Sequence, residues 1–299
     1  MSKKERKKIK YVCVATEMKL YLPQLKQLIP DLIILGLNTK WEGFITKYKL
    51  LHAYLSRPEI KDKDIICFID AYDVLPTKNL SALRKNYRTF KKHNPQVKII
   101  VGYDKVDNVF HEYLCRVIFG TVDAERLNSG QFIGCAKDIR EIVNYILTTT
   151  KQFQTDQIEL TKYANQFKEQ VYIDVNQEFF YVKSRPMQQV TLPHSLVPAF
   201  IHANGNGFLD EFLKSEHGIK LTIKEKYKNY IDNLLGCLRK LVLYDIIYIK
   251  RILRGTPPRP PIGRADALGG CIGRMHSADA LRGTPPRPPI GRMHYGGTQ

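Results

Sequence analysis

The chain has 299 residues, 43% of them hydrophobic and 10% aromatic, which is enough to bury one sizeable core and excludes gross disorder. Its formal net charge of +18 is uneven: residues 1–10 and 254–299 supply +10, leaving +8 on residues 11–253, a surplus suited to nucleic acid, a membrane surface or a nucleotide diphosphate. No run of about 18 apolar residues occurs, excluding a helical membrane span, and the six cysteines show no CxxC spacing, so neither a zinc site nor a redox motif is signalled.

Residues 1–8 form a basic tail, and the YVCVA run that follows is too short for a secretory leader, so a cytoplasmic protein is expected. IKYVCVAT (9–16) is strand-like, EMKLYLPQLKQL (17–28) helix-like and DLIILGL (31–37) strand-like. GFITKYKLLHAYLSR (43–57) places Phe44, Tyr48, Leu51 and Leu55 on one helical face. Just before it, Trp41, the only tryptophan, reads as a core anchor. DIICFID (64–70) follows as a strand, LSALRKNYRTF (80–90) as a helix and VKIIVGY (97–103) as a strand. This alternation predicts an α/β, Rossmann-like fold: a mostly parallel central sheet with helices on both faces.

Beyond residue 104 the pattern loosens. A helix is expected near 107–118, then LNSGQFIG (127–134), a helix near 137–150, a polar helix from about Thr155, and the strand-like VYIDV, FFYV and PAFIHA. These complete a domain spanning 9–220. Residues 221–253 form a basic amphipathic helix that would lie on a membrane surface or pack on the domain. LRGTPPRPPIGR at 253–264 recurs at 281–292, and such Pro-, Gly- and Arg-rich copies cannot bury a core, so 254–299 reads as a disordered repeat tail.

The chemistry concentrates at DAYD (70–73), where two aspartates three positions apart end a hydrophobic strand. In open α/β sheets ligands bind beyond the carboxyl ends of the strands. Close carboxylates repel unless a cation or hydrogen-bond donors sit between them. Neither GxxxxGK[ST] nor GxGxxG is present, which excludes a P-loop nucleotidase and a dinucleotide enzyme. A divalent cation bridging to a diphosphate remains, and oxygen ligands suit Mg²⁺ or Mn²⁺, with an imidazole favouring Mn²⁺. His202, in FIHANGNG (200–207), offers that imidazole, and Gly205 and Gly207 would let backbone N–H groups approach phosphate oxygens.

VATE (14–17), WEG (41–43), TK (46–47), FIDAYDV (68–74), LNSGQFIG, DQ (156–157), VYID (171–174) and HANGNG (202–207) occur in one order. The set closely resembles the glycosyltransferase domain of procollagen lysyl hydroxylases and related collagen glycosyltransferases. The resemblance implies a GT-A-type fold and a Mn²⁺-dependent transferase using a UDP-sugar donor. Asp70, Asp73 and His202 fall on that family's metal positions. Thr16 and Lys47 fall where it holds the uridine and diphosphate. Asn128, Ser129 and Gly130 match the segment lining its sugar pocket, and Asp156 matches an acidic position near the donor sugar, where it would orient the donor or act as base.

These residues also admit structural readings. Thr16 ends a strand, Lys47 would suit a solvated helix face, Asn128-Ser129-Gly130 has the composition of a turn, and Asp156 stands near a helix N-terminus. The family's acidic run is reduced here to QTDQ, and the segment after VGYD lacks the family's tryptophan. None of the eight histidines begins the HxD of an iron dioxygenase, so hydroxylation is not expected. The resulting expectation is transfer of glucose or galactose from a UDP-sugar to a protein or glycan hydroxyl, such as hydroxylysine of a collagen-like protein. Stand-alone domains of this kind are also known from large DNA viruses. The alternatives are a basic nucleic-acid-binding protein and a catalytically silent transferase-like domain that binds nucleotide.

Overall fold

The computed structural model describes residues 8–104, 127–150, 155–184 and 187–253. The expected helix near 107–118, residues 1–7 of the basic tail and the repeat tail lie outside the described residues. In chain order the elements are β1 (Ile9–Val14), α1 (Leu22–Leu28), β2 (Ile33–Leu35), α2 (Ile45–Leu55), β3 (Ile65–Ile69), β4 (Val74–Pro76), α3 (Leu83–His93) and β5 (Ile99–Tyr103). After the gap follow β6 (Leu127–Cys135), α4 (Ala136–Thr149), α5 (Asp156–Gln166), β7 (Val171–Asp174), β8 (Phe180–Val182), β9 (Phe200–His202), α6 (Asp210–His217) and α7 (Ile223–Leu253).

Six strands form the central sheet in the order β2-β1-β3-β6-β5-β7. β1 pairs parallel with β2 and β3, and β5 parallel with β7, whereas β6 runs antiparallel to both of its neighbours. The mixed α/β class and the mostly parallel sheet are those expected. The reversed β6 is not, because a strand buried on both faces carries no alternation that records its direction. LNSGQFIG, with the composition of a turn, is instead a strand buried along nearly its whole length.

Side-chain alternation in β3 explains how helices cover both faces. Ile65, Cys67 and Ile69 enter one core with Leu22 and Leu25 of α1, Tyr87 of α3 and Phe212 of α6. Ile66 and Phe68 enter the other, with Leu51 of α2, Ile139 and Val143 of α4, and Leu160 of α5. A three-stranded sheet, β4-β9-β8, packs into the first core. Its register sets Val74 opposite His202, so the residue after DAYD is paired with the imidazole's own strand position.

Two local expectations need correction. The helix expected from residue 17 starts at Leu22: Leu20 adopts φ +52°, which a right-handed helix cannot contain, and proline occupies the first turn. Trp41 is no core anchor, being 43% exposed with its indole edge-on to Phe44 in the loop before α2.

Asp174, the last residue of VYID, closes the turn into β8. Its carboxylate accepts the N–H groups of Glu178 at 2.9 Å, Phe179 at 2.8 Å and Phe180 at 2.9 Å, and it is fully buried. Asp174→Ala removes the acceptor of these three donors and is expected to cost about 3 kcal/mol of unfolding free energy, read by urea denaturation.

Candidate metal and donor site

Asp70 follows the last residue of β3, and Asp73 precedes β4. Their carboxylates and the His202 imidazole offer ligand atoms that all lie within 4.8 Å of one another. Trans ligands of an octahedral cation with bonds of about 2.1 Å stand about 4.2 Å apart, so this set is close to closing on one ion. Side-chain exposure is 30% for Asp70, 27% for Asp73 and 1% for His202, so the carboxylates open to solvent over a buried imidazole.

The donor set fits a hard divalent ion. His202 Nε2 is buried, lies 3.2 Å from Asp73 Oδ1 and makes no well-directed hydrogen bond. Its other nitrogen, Nδ1, is 3.1 Å from Asn128 Oδ1. That same oxygen accepts the Gly130 N–H at 3.0 Å. A backbone N–H only donates, so the shared atom is an acceptor and Nδ1 carries a proton. Nε2 is therefore the nitrogen turned toward the carboxylates, an arrangement in which an outer partner fixes the tautomer of a ligating histidine.

Gly130 makes the crowding possible. A Cβ there would meet Asp70 Oδ2 at 2.5 Å and His202 Cε1 at 2.6 Å. The backbone is arranged for this approach: the Asp70 N–H donates to Gly130 O at 2.7 Å. Along β5 the pairing jumps from Val101–Phe132 to Gly102–Asn128, so Ser129, Gly130 and Gln131 bulge out beside the site.

Lys47 is buried within α2, not solvated. Its ammonium pairs with Asp70 at 2.8 Å and with Asp156, and it lies over the Phe68 ring. Asp156, the first residue of α5 and equally buried, also accepts from Ser129 Oγ at 2.9 Å. Thr155 caps that helix by accepting the Ile158 N–H. Burial opposes the Lys47 charge, yet Asp156 and Asp70 outweigh it and hold its pKa above the ordinary lysine value. Burial pushes the Asp70 carboxyl up, with Lys47 pulling down and Asp73 adding to the rise. For His202 burial opposes protonation, and Asp73 more than offsets it, leaving the imidazole raised.

Thr16 stands just beyond β1, where its N–H donates to Tyr72 Oη at 3.2 Å. Tyr72, the residue between the two aspartates, also accepts from the Glu17 N–H, so the DAYD loop is fastened to the end of β1. Gly205 takes φ +80° in the turn after β9, consistent with a glycine requirement. The Gly207 N–H, expected to face phosphate, donates to Ala203 O at 3.2 Å instead.

One participant had no sequence signal. Asp104, buried beyond β5, accepts from Ser184 Oγ and Asn204 Nδ2, each at 3.0 Å, and its charge adds to the rise at His202. A cavity of about 250 Å³ at the α6–α7 junction, lined by Asp210, Lys214, Lys220 and Lys226 among others, shares no residue with this cluster. Gly130→Ala is expected to cost about 1–3 kcal/mol by overpacking, read by thermal unfolding.

Known proteins similar to this chain include viral ones. Uncharacterized protein R699 of Acanthamoeba polyphaga mimivirus is 24% identical over 199 residues, a stretch covering 58% of this chain and 40% of the viral protein's length. A glycosyltransferase involved in glycosylation of the major capsid of PBCV-1 shares 11% identity at a TM-score of 0.43, covering 66% of this chain and 94% of that structure. A197 from STIV shares 14% at a TM-score of 0.36, covering 56% and 81%. The family model described as the PLOD GT domain matches residues 5–237, which include every member of the cluster above. The chain therefore belongs to the PLOD glycosyltransferase-domain family.

Proposed function

We propose that this glycosyltransferase domain moves glucose or galactose from a UDP-sugar to a hydroxyl acceptor, with hydroxylysine of a collagen-like protein as the acceptor class suggested by the family. The observation that carries the reading is the Asp70–Asp73–His202 cluster at the carboxyl end of β3, in a chain of this family. Asp70, Asp73 and His202 would hold Mn²⁺, or Mg²⁺ in its place. A divalent ion there supplies positive charge to the diphosphate as the glycosidic bond breaks.

The protein's own groups prepare that step. Asn128 keeps the proton on Nδ1 and so leaves Nε2 for the cation. Lys47 favours the ionised form of Asp70 and aligns it, and its charge would add to the field that the diphosphate meets. Thr16, at the end of the neighbouring strand, would hold the uridine, and the Ser129–Gly130 bulge and the Gly205 turn would meet the sugar and phosphates. Asp156 is already bound to Lys47 and Ser129. That pairing supports a role in orienting the donor sugar more than one as a free base.

Thermal unfolding with UDP alone, Mn²⁺ alone and both together tests the proposal without an acceptor. Ligand at about 100 times its dissociation constant adds about 2.7 kcal/mol, or roughly 5–10 °C for a domain of this size. The expected result is a shift with both that exceeds the sum of the single shifts, and its loss in Asp73→Asn. Additive shifts, or an unchanged response in Asp73→Asn, would overturn the metal–diphosphate assignment.

A further inference from the structure

Over residues 223–238, helix α7 packs with inverted polarity. Surface helices of globular proteins turn apolar residues inward and polar residues to water. Among the described side chains of α7 the buried positions are Asn229 and Asn233, and a Cβ on Gly236 would run into the Asn206 amide. The hydrogen bonds are polar amide contacts, Asn206 Nδ2 donating to Asn233 Oδ1 and Asn233 Nδ2 to Gly207 O, each at 3.4 Å, and at the edge of the buried face the Tyr230 ring stacks on Phe208. Outward, Ile223 is 88% exposed and Tyr227 68%, with Leu238 also exposed.

Ile223, Tyr227, Tyr230, Leu234 and Leu238 follow one another at spacings of four, three, four and four, which places them on one stripe. Lys224, Lys226 and Lys228 are exposed alongside it. Farther on, LVLYDIIYI (241–249), with Asp245 its one charge, is bracketed by Arg239-Lys240 and Lys250-Arg251. An apolar stripe edged by lysines and bearing tyrosines matches the interface of a bilayer, where apolar side chains enter the acyl boundary and ammonium groups reach the head groups. A second copy of this helix would bring the same cations against each other, so an anionic occupant fits better. No described helix is long and apolar enough to cross a membrane.

We propose that α7 docks the domain onto an anionic lipid surface, lying in the plane of the interface with Ile223, Tyr227 and Leu238 facing the lipid. The test is co-sedimentation of the full chain with phosphatidylcholine vesicles, with and without phosphatidylserine, at low and high salt. Sedimentation is expected to require phosphatidylserine, to weaken with salt, and to fall about tenfold or more in Tyr227→Asp/Leu238→Asp. Both replaced side chains are exposed, so the unfolding midpoint should hold. Should that variant fail to fold, Lys224→Glu/Lys226→Glu/Lys228→Glu gives the same readout.

Absence of vesicle binding overturns the proposal. So does binding that the aspartate variant retains, because the basic tails alone would then account for it. A concentration-dependent dimer in sedimentation velocity, lost in the variant and unaccompanied by vesicle binding, would identify a second copy as the occupant and overturn it equally.

Discussion

Three carboxylates, a lysine ammonium and an imidazole meet at the end of β3, and their balance is the constraint around which the surrounding elements are arranged. Asp70 and Asp73 cannot stand close together, and Asp156 cannot be buried beside them, without compensation. Lys47 lies between Asp70 and Asp156, while His202 lies against Asp73. Lys47 and His202 each come from an element distant in sequence from DAYD. Removing Lys47 would leave Asp70 and Asp156 without their counter-charge, a situation far costlier than the net worth of the pair.

That balance accounts for features that would otherwise look arbitrary. α2 must bury a lysine in its first turn, which it does with the ammonium over the Phe68 ring. β6 must pass close to both Asp70 and His202, which only a residue without a Cβ permits. The small sheet then fixes the remaining coordinate, because β4 and β9 pair Val74 with His202 and tie the loop between the aspartates to the imidazole's strand. Tyr72 makes the loop's third attachment, to the residues just past β1.

Much of this was legible in the residues themselves. The alternation of short apolar runs with amphipathic segments located nearly every strand and helix of the first half, and DAYD at the end of a buried run announced the site. The imidazole was legible too, since FIHANGNG places it at a strand end before a glycine turn. What escaped was whatever depends on contact across the sheet. The reversed direction of β6 is invisible because both of its faces are buried. Lys47 reads as a surface residue until Asp156, distant in sequence, arrives beside it. Asn128 resembles a turn residue, although its oxygen links the bulge to His202. Trp41 misled for the opposite reason: size and apolarity argue for burial, and its loop leaves it open to solvent.

The turn from Ala203 to Gly207 has two neighbours that matter. On one side it continues directly from His202; on the other it is held by Asn233 and closed over by Gly236. The last histidine-bearing strand and the C-terminal helix thus share a single wall of backbone. A fragment trimmed at residue 220, where the strands of both sheets are complete, would keep Asp70, Asp73 and His202 and lose the surface that supports the loop following His202. The loop that follows His202 therefore takes part of its support from beyond residue 220, on the inner face of α7.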